Sequence, residues 1–193
     1  EFEKLLETKL DQAQNYKGVK VQRFMSEAWK GLRYSKSDDF EKINATGVKK
    51  EILIELAHKI NSLPDNKPFF KKLTKLLDDR LVLLKQNKVD WAMAELLAYG
   101  SLLIDGYSVR ISGQDSERGT FSHRHSAYNV ENSDEKYYPL KNLSPTQAKF
   151  DVHNSLLSEY GVMGFEYGYS VTHPQGLTIW EAQFGDFNNV AQV

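Results

Sequence analysis

The 193 residues are 40 % hydrophobic, contain no cysteine, and carry 26 Asp and Glu against 25 Lys and Arg. Without cysteine there is no disulfide, no thiol nucleophile and no cysteine zinc site, which fits a reducing compartment. No apolar run reaches membrane-span length and no basic-then-apolar leader opens the chain, so no membrane partner is expected.

The near-zero net charge hides an asymmetry. Residues 1–88 hold 19 basic and 13 acidic groups, and residues 89–193 hold 6 and 13; these are two regions of different character. The basic charges are scattered among acids rather than clustered. They read as solvated faces able to dock on the acidic half, and no nucleic-acid partner is expected. The length allows one good core, or one core with a helical appendage.

In chain order, Phe2, Leu5, Leu6 and Leu10 fall at helical spacing within residues 2–16, a short amphipathic helix. From 17 to 45 the pattern fails. Phe24, Trp29, Leu32 and Tyr34 stand among polar residues, as in an irregular segment pinned by aromatics. Thr46 is a candidate N-cap for a helix carrying Val48, Ile52, Leu56 and Ile60, stopped by Pro64. Pro68 fits the first turn of the next helix, which carries Phe69, Leu73, Leu76, Leu77, Leu83 and Leu84. Residues 46–88 therefore read as a helical hairpin.

Asp90 is the expected cap of a helix over 91–105, with Gly106 ending it. Trp91, Ala98, Tyr99 and Leu102 are expected on one face with Glu95. A carboxylate there needs a partner, and a neighbouring backbone amide is the favoured one. Residues 107–112 read as a strand, followed by the turn-rich loop 113–119 at its carboxyl end. Next come His123, Arg124 and His125. The pattern is poor for a metal; imidazole plus guanidinium suits a dicarboxylate or a diphosphate, and a solvated loop or subunit contact is the plain alternative. Residues 129–149 are polar with two prolines and read as a long loop, and His153 and His173 read as surface residues.

The stretch 158–189 carries the densest signal. Ser158 fits an N-cap and Glu159 the first turn, where a carboxylate suits the helix dipole. Gly161, Gly164 and Gly168 recur at helical spacing although each costs about 1 kcal/mol relative to alanine, which suggests close approach of a backbone or a flat ligand. Pro174 and Gly176 break the helix, and Leu177–Trp180 reads as a short buried strand. Beyond it lie Gln183, Phe184 and Phe187, at the carboxyl end of a strand where α/β sheets place their sites. On position alone, a first-turn glutamate such as Glu159 is more often just a dipole partner, and Phe184 and Phe187 are more often core than a stacking platform.

Four words in this order resemble a known family: VDWAMAELLAYGSLL at 89–103, SGQDSERGTFSHRH at 112–125, SEYG with GFEYGYS at 158–170, and LTIWEAQFGDFNN at 177–189. They are similar to the pyrimidine-binding half of the thiamine-diphosphate-dependent 2-oxoglutarate dehydrogenases, the decarboxylating first component of that complex. The resemblance implies an α/β fold with a parallel sheet, a truncated pyrimidine-binding domain over 89–193. It implies two preceding segments: an N-terminal helix and irregular linker over 1–45, and a helical connector over 46–88. It also implies that both ends are cuts in a protein several times longer.

By the same resemblance, Glu159 is the acid that activates the cofactor through its pyrimidine nitrogen, and such a group needs a dry, firmly held position. Phe187 stacks on the pyrimidine, Phe184 and Gln183 line its pocket, and His123, Arg124 and His125 are substrate or loop candidates. Gln114 is a further cofactor-binding candidate; it stands where related 2-oxo acid dehydrogenases often carry glutamate, and an amide cannot relay a proton as an acid. Magnesium and the diphosphate would be held outside this chain, with no metal ligand within it. The implied reaction is oxidative decarboxylation of 2-oxoglutarate with succinyl transfer to a lipoyl group, in the tricarboxylic acid cycle. The implied partners are a second copy, giving a homodimer, and dihydrolipoyl succinyltransferase with its lipoyl domain. The compartment would be the bacterial cytoplasm or the mitochondrial matrix. Residues 1–193 alone would be inactive. A 2-oxoadipate enzyme and a non-catalytic interaction module with the same fold are the alternatives.

Overall fold

The structure, a computed structural model, describes residues 2–15, 18 and 25–188. The chain divides into two compact units, Glu1–Arg33 and Tyr34–Val193. In the first, helix α1 (Phe2–Gln14) buries no residue, so its amphipathic pattern ends in an exposed helix. Phe24 lies outside the described residues. Trp29, Leu32 and Tyr34 are exposed rather than pinned inside, and Ser37–Asp39 forms one 3₁₀ turn.

The second unit carries helices α2 (Lys50–Ile60), α3 (Lys71–Lys85), α4 (Trp91–Ile104) and α5 (Glu159–Thr172) and strands β1 (Val109–Gly113), β2 (Tyr128–Asn129), β3 (Lys136–Tyr137), β4 (Phe150–Asn154) and β5 (Leu177–Glu181). Strands β4, β1 and β5 form a parallel sheet in that order, with Ile111 opposite Val152 and Ile179. Strands β2 and β3 form a separate antiparallel pair.

Alternation along β1 decides which helix covers which face. Val109 and Ile111 are fully buried with Phe150 and Val152 against Leu96, Leu97 and Leu103 of α4 and Leu56 and Ile60 of α2. Each such side chain contributes about 1.5–3 kcal/mol by leaving water. Arg110 points to the opposite face and binds Glu166 of α5. The sheet is thus a middle layer between α2 with α4 on one face and α5 on the other.

Two of the three expected N-caps are present: the Asp90 carboxylate accepts from Met93 N at 2.6 Å, and the Ser158 hydroxyl from Gly161 N at 3.4 Å. Helices α2 and α3 start later than the spacing suggests. Lys49 and Phe70 are the caps, so Thr46 and Pro68 lie outside the helices. Phe69 instead bridges to Val130, which holds that segment extended.

Residues 129–149 are not one long loop: they contain the end of β2, strand β3 and a 3₁₀ turn at Pro139–Lys141, with Val130, Leu140 and Leu143 buried and Gln147 tying the chain back by hydrogen bonds with Leu143 N and the Leu140 carbonyl. Strand β4 was hidden at the end of this polar stretch, and it contains His153. Leu177–Trp180 is only half-buried, since β5 is an edge of the described sheet. The exposed residues of α4 include Trp91 and Ala98; its packed side centres on Met93, Leu96, Gly100 and Leu103.

Candidate active site

Parallel strands bring their carboxyl ends to one edge. Here β1 opens into loop 114–127, β4 into 155–158 ahead of α5, and β5 into 182–188. Gln114, His123, Arg124, His125, Gln183, Phe184 and Phe187 sit on these loops, Glu159 opens α5 directly after the second, and Glu95, His153 and His173 lie elsewhere, on α4, on β4 and at the end of α5.

Gly113 makes the tight joint between β1 and β5. Its φ is +151°, and a Cβ there would overlap the Glu181 carbonyl, so only glycine lets the two strand ends close. Two residues beyond Glu181, Gln183 donates from Nε2 to Thr120 Oγ1 at 2.6 Å and to the Gln114 carbonyl at 3.2 Å. Its backbone N–H is held by Asp186 Oδ2 at 2.7 Å. A small cavity of about 150 Å³ opens between Thr120, Phe121, Ala182, Gln183 and Phe184. Phe184 is 74 % exposed and meets Phe121 edge-on, with centroids 6.3 Å apart. The Gln114 side chain is exposed, and the 3₁₀ turn Asp186–Asn188 contains Phe187.

Glu159 is half-buried in the first turn of α5 and makes no hydrogen bond or ion pair among the described residues. The glycine-marked helix does not receive a neighbour as expected. A Cβ at Gly164 or Gly168 would meet nothing within 4 Å, and Tyr160, Phe165 and Tyr167 are exposed beside them.

The histidine–arginine segment splits by environment. Arg124 is buried and spends all three guanidinium nitrogens on the protein: Nε to Glu95 at 2.8 Å, Nη1 to the Ser116 carbonyl at 2.8 Å, and Nη2 to Glu181. Burial works against its charge, but the hydrogen bonds to Glu181 and Glu95 outweigh burial and raise its pKa. Glu95 also accepts from Tyr99 Oη at 2.5 Å. Its partners are therefore a guanidinium and a phenol rather than a backbone amide. His123 packs over Gly119, while His125 reaches the Ser122 carbonyl at 3.0 Å, and burial lowers the His125 pKa. His173 stacks on Tyr169 at 4.4 Å. Among the described residues, no group of three or more His, Asp or Glu could hold a metal ion.

Three participants escaped the sequence reading: Arg80 of α3, which donates to the His123 carbonyl at 2.7 Å, and the buried pair Arg110–Glu166. An arginine inside an otherwise apolar strand or helix stripe is the signal that marks both cations.

The sequence pattern described as "Transketolase, pyrimidine binding domain" matches residues 87–193. The chain belongs to this family. The transketolase pyrimidine-binding match covers the sheet, α4, α5 and all three loops at the carboxyl edge. Among curated relatives, the chain is 45 % identical over 193 residues to the "2-oxoglutarate dehydrogenase E1 component" of Rickettsia typhi, covering all of this chain and 20 % of that protein. It is 45 % identical to the protein of the same name from Rickettsia felis, over 100 % of this chain and 19 % of that one. The counterpart from Brucella anthropi is 42 % identical over 97 % of this chain and 19 % of its own length. The chain thus spans about a fifth of the length of these relatives.

Proposed function

We propose that this chain is the pyrimidine-side part of a thiamine-diphosphate-dependent 2-oxoglutarate dehydrogenase first component, with residues 89–193 as the cofactor-facing domain and 46–88 as a connector. The observation that carries the reading is identity of 42–45 % across nearly the whole chain to relatives bearing that name. The cavity at the sheet's carboxyl edge agrees with it. An apolar wall from Phe121 and Phe184 with polar groups from Thr120 and Gln183 suits a flat heteroaromatic ring carrying an amino group.

When bound, thiamine diphosphate supplies the carbon nucleophile that attacks the 2-oxo acid. This chain's residues hold and orient it. Gln183, fixed at both its amide and its backbone, presents the segment 182–188 that carries Phe184 and Phe187. Glu159 holds a proton toward the pyrimidine nitrogen from the first turn of α5, which α5's exposed aromatic surface would keep dry once covered by a second subunit. His123 and His125 are half-buried beside the cavity-forming loop, and every guanidinium nitrogen of Arg124 is already hydrogen-bonded within the protein. Magnesium and the diphosphate are held outside these residues. Assembly is as a homodimer that serves dihydrolipoyl succinyltransferase and its lipoyl domain, in the bacterial cytoplasm.

The deciding experiment is 2-oxoglutarate-dependent reduction of an artificial electron acceptor by the full-length protein, wild type against Glu159→Ala. Loss of kcat by roughly a hundredfold or more is expected for a proton-transfer group. A variant near the wild-type rate removes Glu159 from this role, and an inactive wild type removes the substrate assignment.

A further inference from the structure

Arg124 stands between the two segments that form the cavity. Its acceptors are Glu95 on α4, the Ser116 carbonyl in the loop after β1, and Glu181, the last residue of β5. The main chain beside it is clamped as well, since Arg80 Nη2 donates to the His123 carbonyl at 2.7 Å and to the Arg124 carbonyl at 3.2 Å. One cavity wall, Thr120 and Phe121, lies a few residues before Arg124. The other, Ala182 to Phe184, begins one residue after Glu181.

We propose that Arg124 is a positioning residue: its buried guanidinium fixes segment 182–188 against loop 114–126 and so sets the width of the notch for the cofactor ring. The proposal rests on the cofactor reading above. A planar fork can satisfy Glu95, Glu181 and a carbonyl at fixed mutual angles, which the single ammonium of lysine cannot reproduce. Held this way, Gln183 reaches Thr120, and Phe184 meets Phe121, without either pair having to order itself when a ligand arrives.

The test uses the full-length protein with Arg124→Gln, Arg124→Lys and Glu181→Gln. Two quantities are read: hydrogen–deuterium exchange of the 182–188 peptide without cofactor, and the thiamine diphosphate dissociation constant with magnesium, alongside kcat at saturating cofactor. In Arg124→Gln, exchange across 182–188 and the dissociation constant each rise by about tenfold, while kcat at saturation changes by less than about threefold. Arg124→Lys lies between the two. Glu181→Gln keeps size and an acceptor, so it folds if Arg124→Gln does not, and it shows the same pattern more weakly. Unchanged exchange at 182–188, a uniform rise over the whole protein, or an unchanged dissociation constant overturns the proposal. A wild type that takes up no thiamine diphosphate overturns the cofactor reading instead, and the exchange measurement still decides whether Arg124 holds the segment.

Discussion

Arg110 on β1 and Glu166 on α5 form a two-pronged ion pair, with Nε at 2.8 Å from Oε2 and an Nη2 hydrogen bond of 2.8 Å to Oε1. Glu166 is 4 % exposed, and the guanidinium also lies 4.7 Å from the Tyr169 ring centre and 5.2 Å from that of Phe165. The pair is the polar centre of the face that seats α5, and with it Glu159, on the sheet. Removing Glu166 leaves the partly buried Arg110 guanidinium without its carboxylate, at a cost of at most about 3–5 kcal/mol. Glu166→Ala should therefore lower Tm by about 2–4 °C for each kcal/mol lost. The double variant Arg110→Leu with Glu166→Leu should recover much of that. Equal Tm values for Glu166→Ala and wild type in thermal unfolding would refute it.

Gly113 gives a backbone prediction. Any side chain there meets the Glu181 carbonyl and must hold φ near +151°. Gly113→Ala should cost about 1–3 kcal/mol of strain before the clash is counted. The sheet's carboxyl edge must then splay, so segment 182–188 should lose order as well. Urea unfolding with an unshifted midpoint would show that β1 and β5 close by another route.

The caps Asp90 and Ser158 are legible from sequence because a short polar side chain before an apolar period has one structural use. So is the end of α4 at Asp105–Gly106. Strand β4 is harder. Phe150 and Val152 alternate with Asp151 and His153, a period of two lasting only five residues, and a polar stretch precedes them. The buried charges are harder still. Glu95 is visible as an acid on an apolar helix, but its partner Arg124 lies 29 residues away in a loop, and only the fold brings them together. Within the site, the order of segments around the edge follows from the strand pattern. The Gln183–Thr120 bond, spanning 63 residues, does not.

Alkaline titration tests the core beneath the site. Burial, and then the hydrogen bond to Glu95, push the Tyr99 phenol above its usual range; burial does the same to Tyr128, whose hydroxyl donates to the Ile60 carbonyl at 3.1 Å. The folded state thus keeps these protons where the unfolded chain releases them. That stability is fully present below about pH 10, the ordinary tyrosine value, and is lost as pH rises beyond it. In ultraviolet titration, these two of the ten tyrosines should form phenolate only together with unfolding, and Tyr99→Phe should remove one from the late group. Smooth titration of all ten ahead of unfolding would contradict their burial.

Gln114 separates a side chain from its main chain. Its carbonyl, not its amide group, accepts from Gln183, and the side chain is exposed. Gln114→Ala should therefore leave stability within about 0.5 kcal/mol, as exposed substitutions do. An amide has no proton to relay as an acid, so in the full-length protein the rate should also stay within about threefold, and its pH profile should keep its shape. Gln183→Ala differs, because it removes both the bond to Thr120 and the one to the Gln114 carbonyl. Loss of one to two hydrogen bonds at the cavity wall should weaken thiamine diphosphate binding by roughly tenfold. If Gln114→Ala instead weakens binding as much as Gln183→Ala, the position acts through its amide side chain after all. The contact that matters would then be one formed only with the cofactor present.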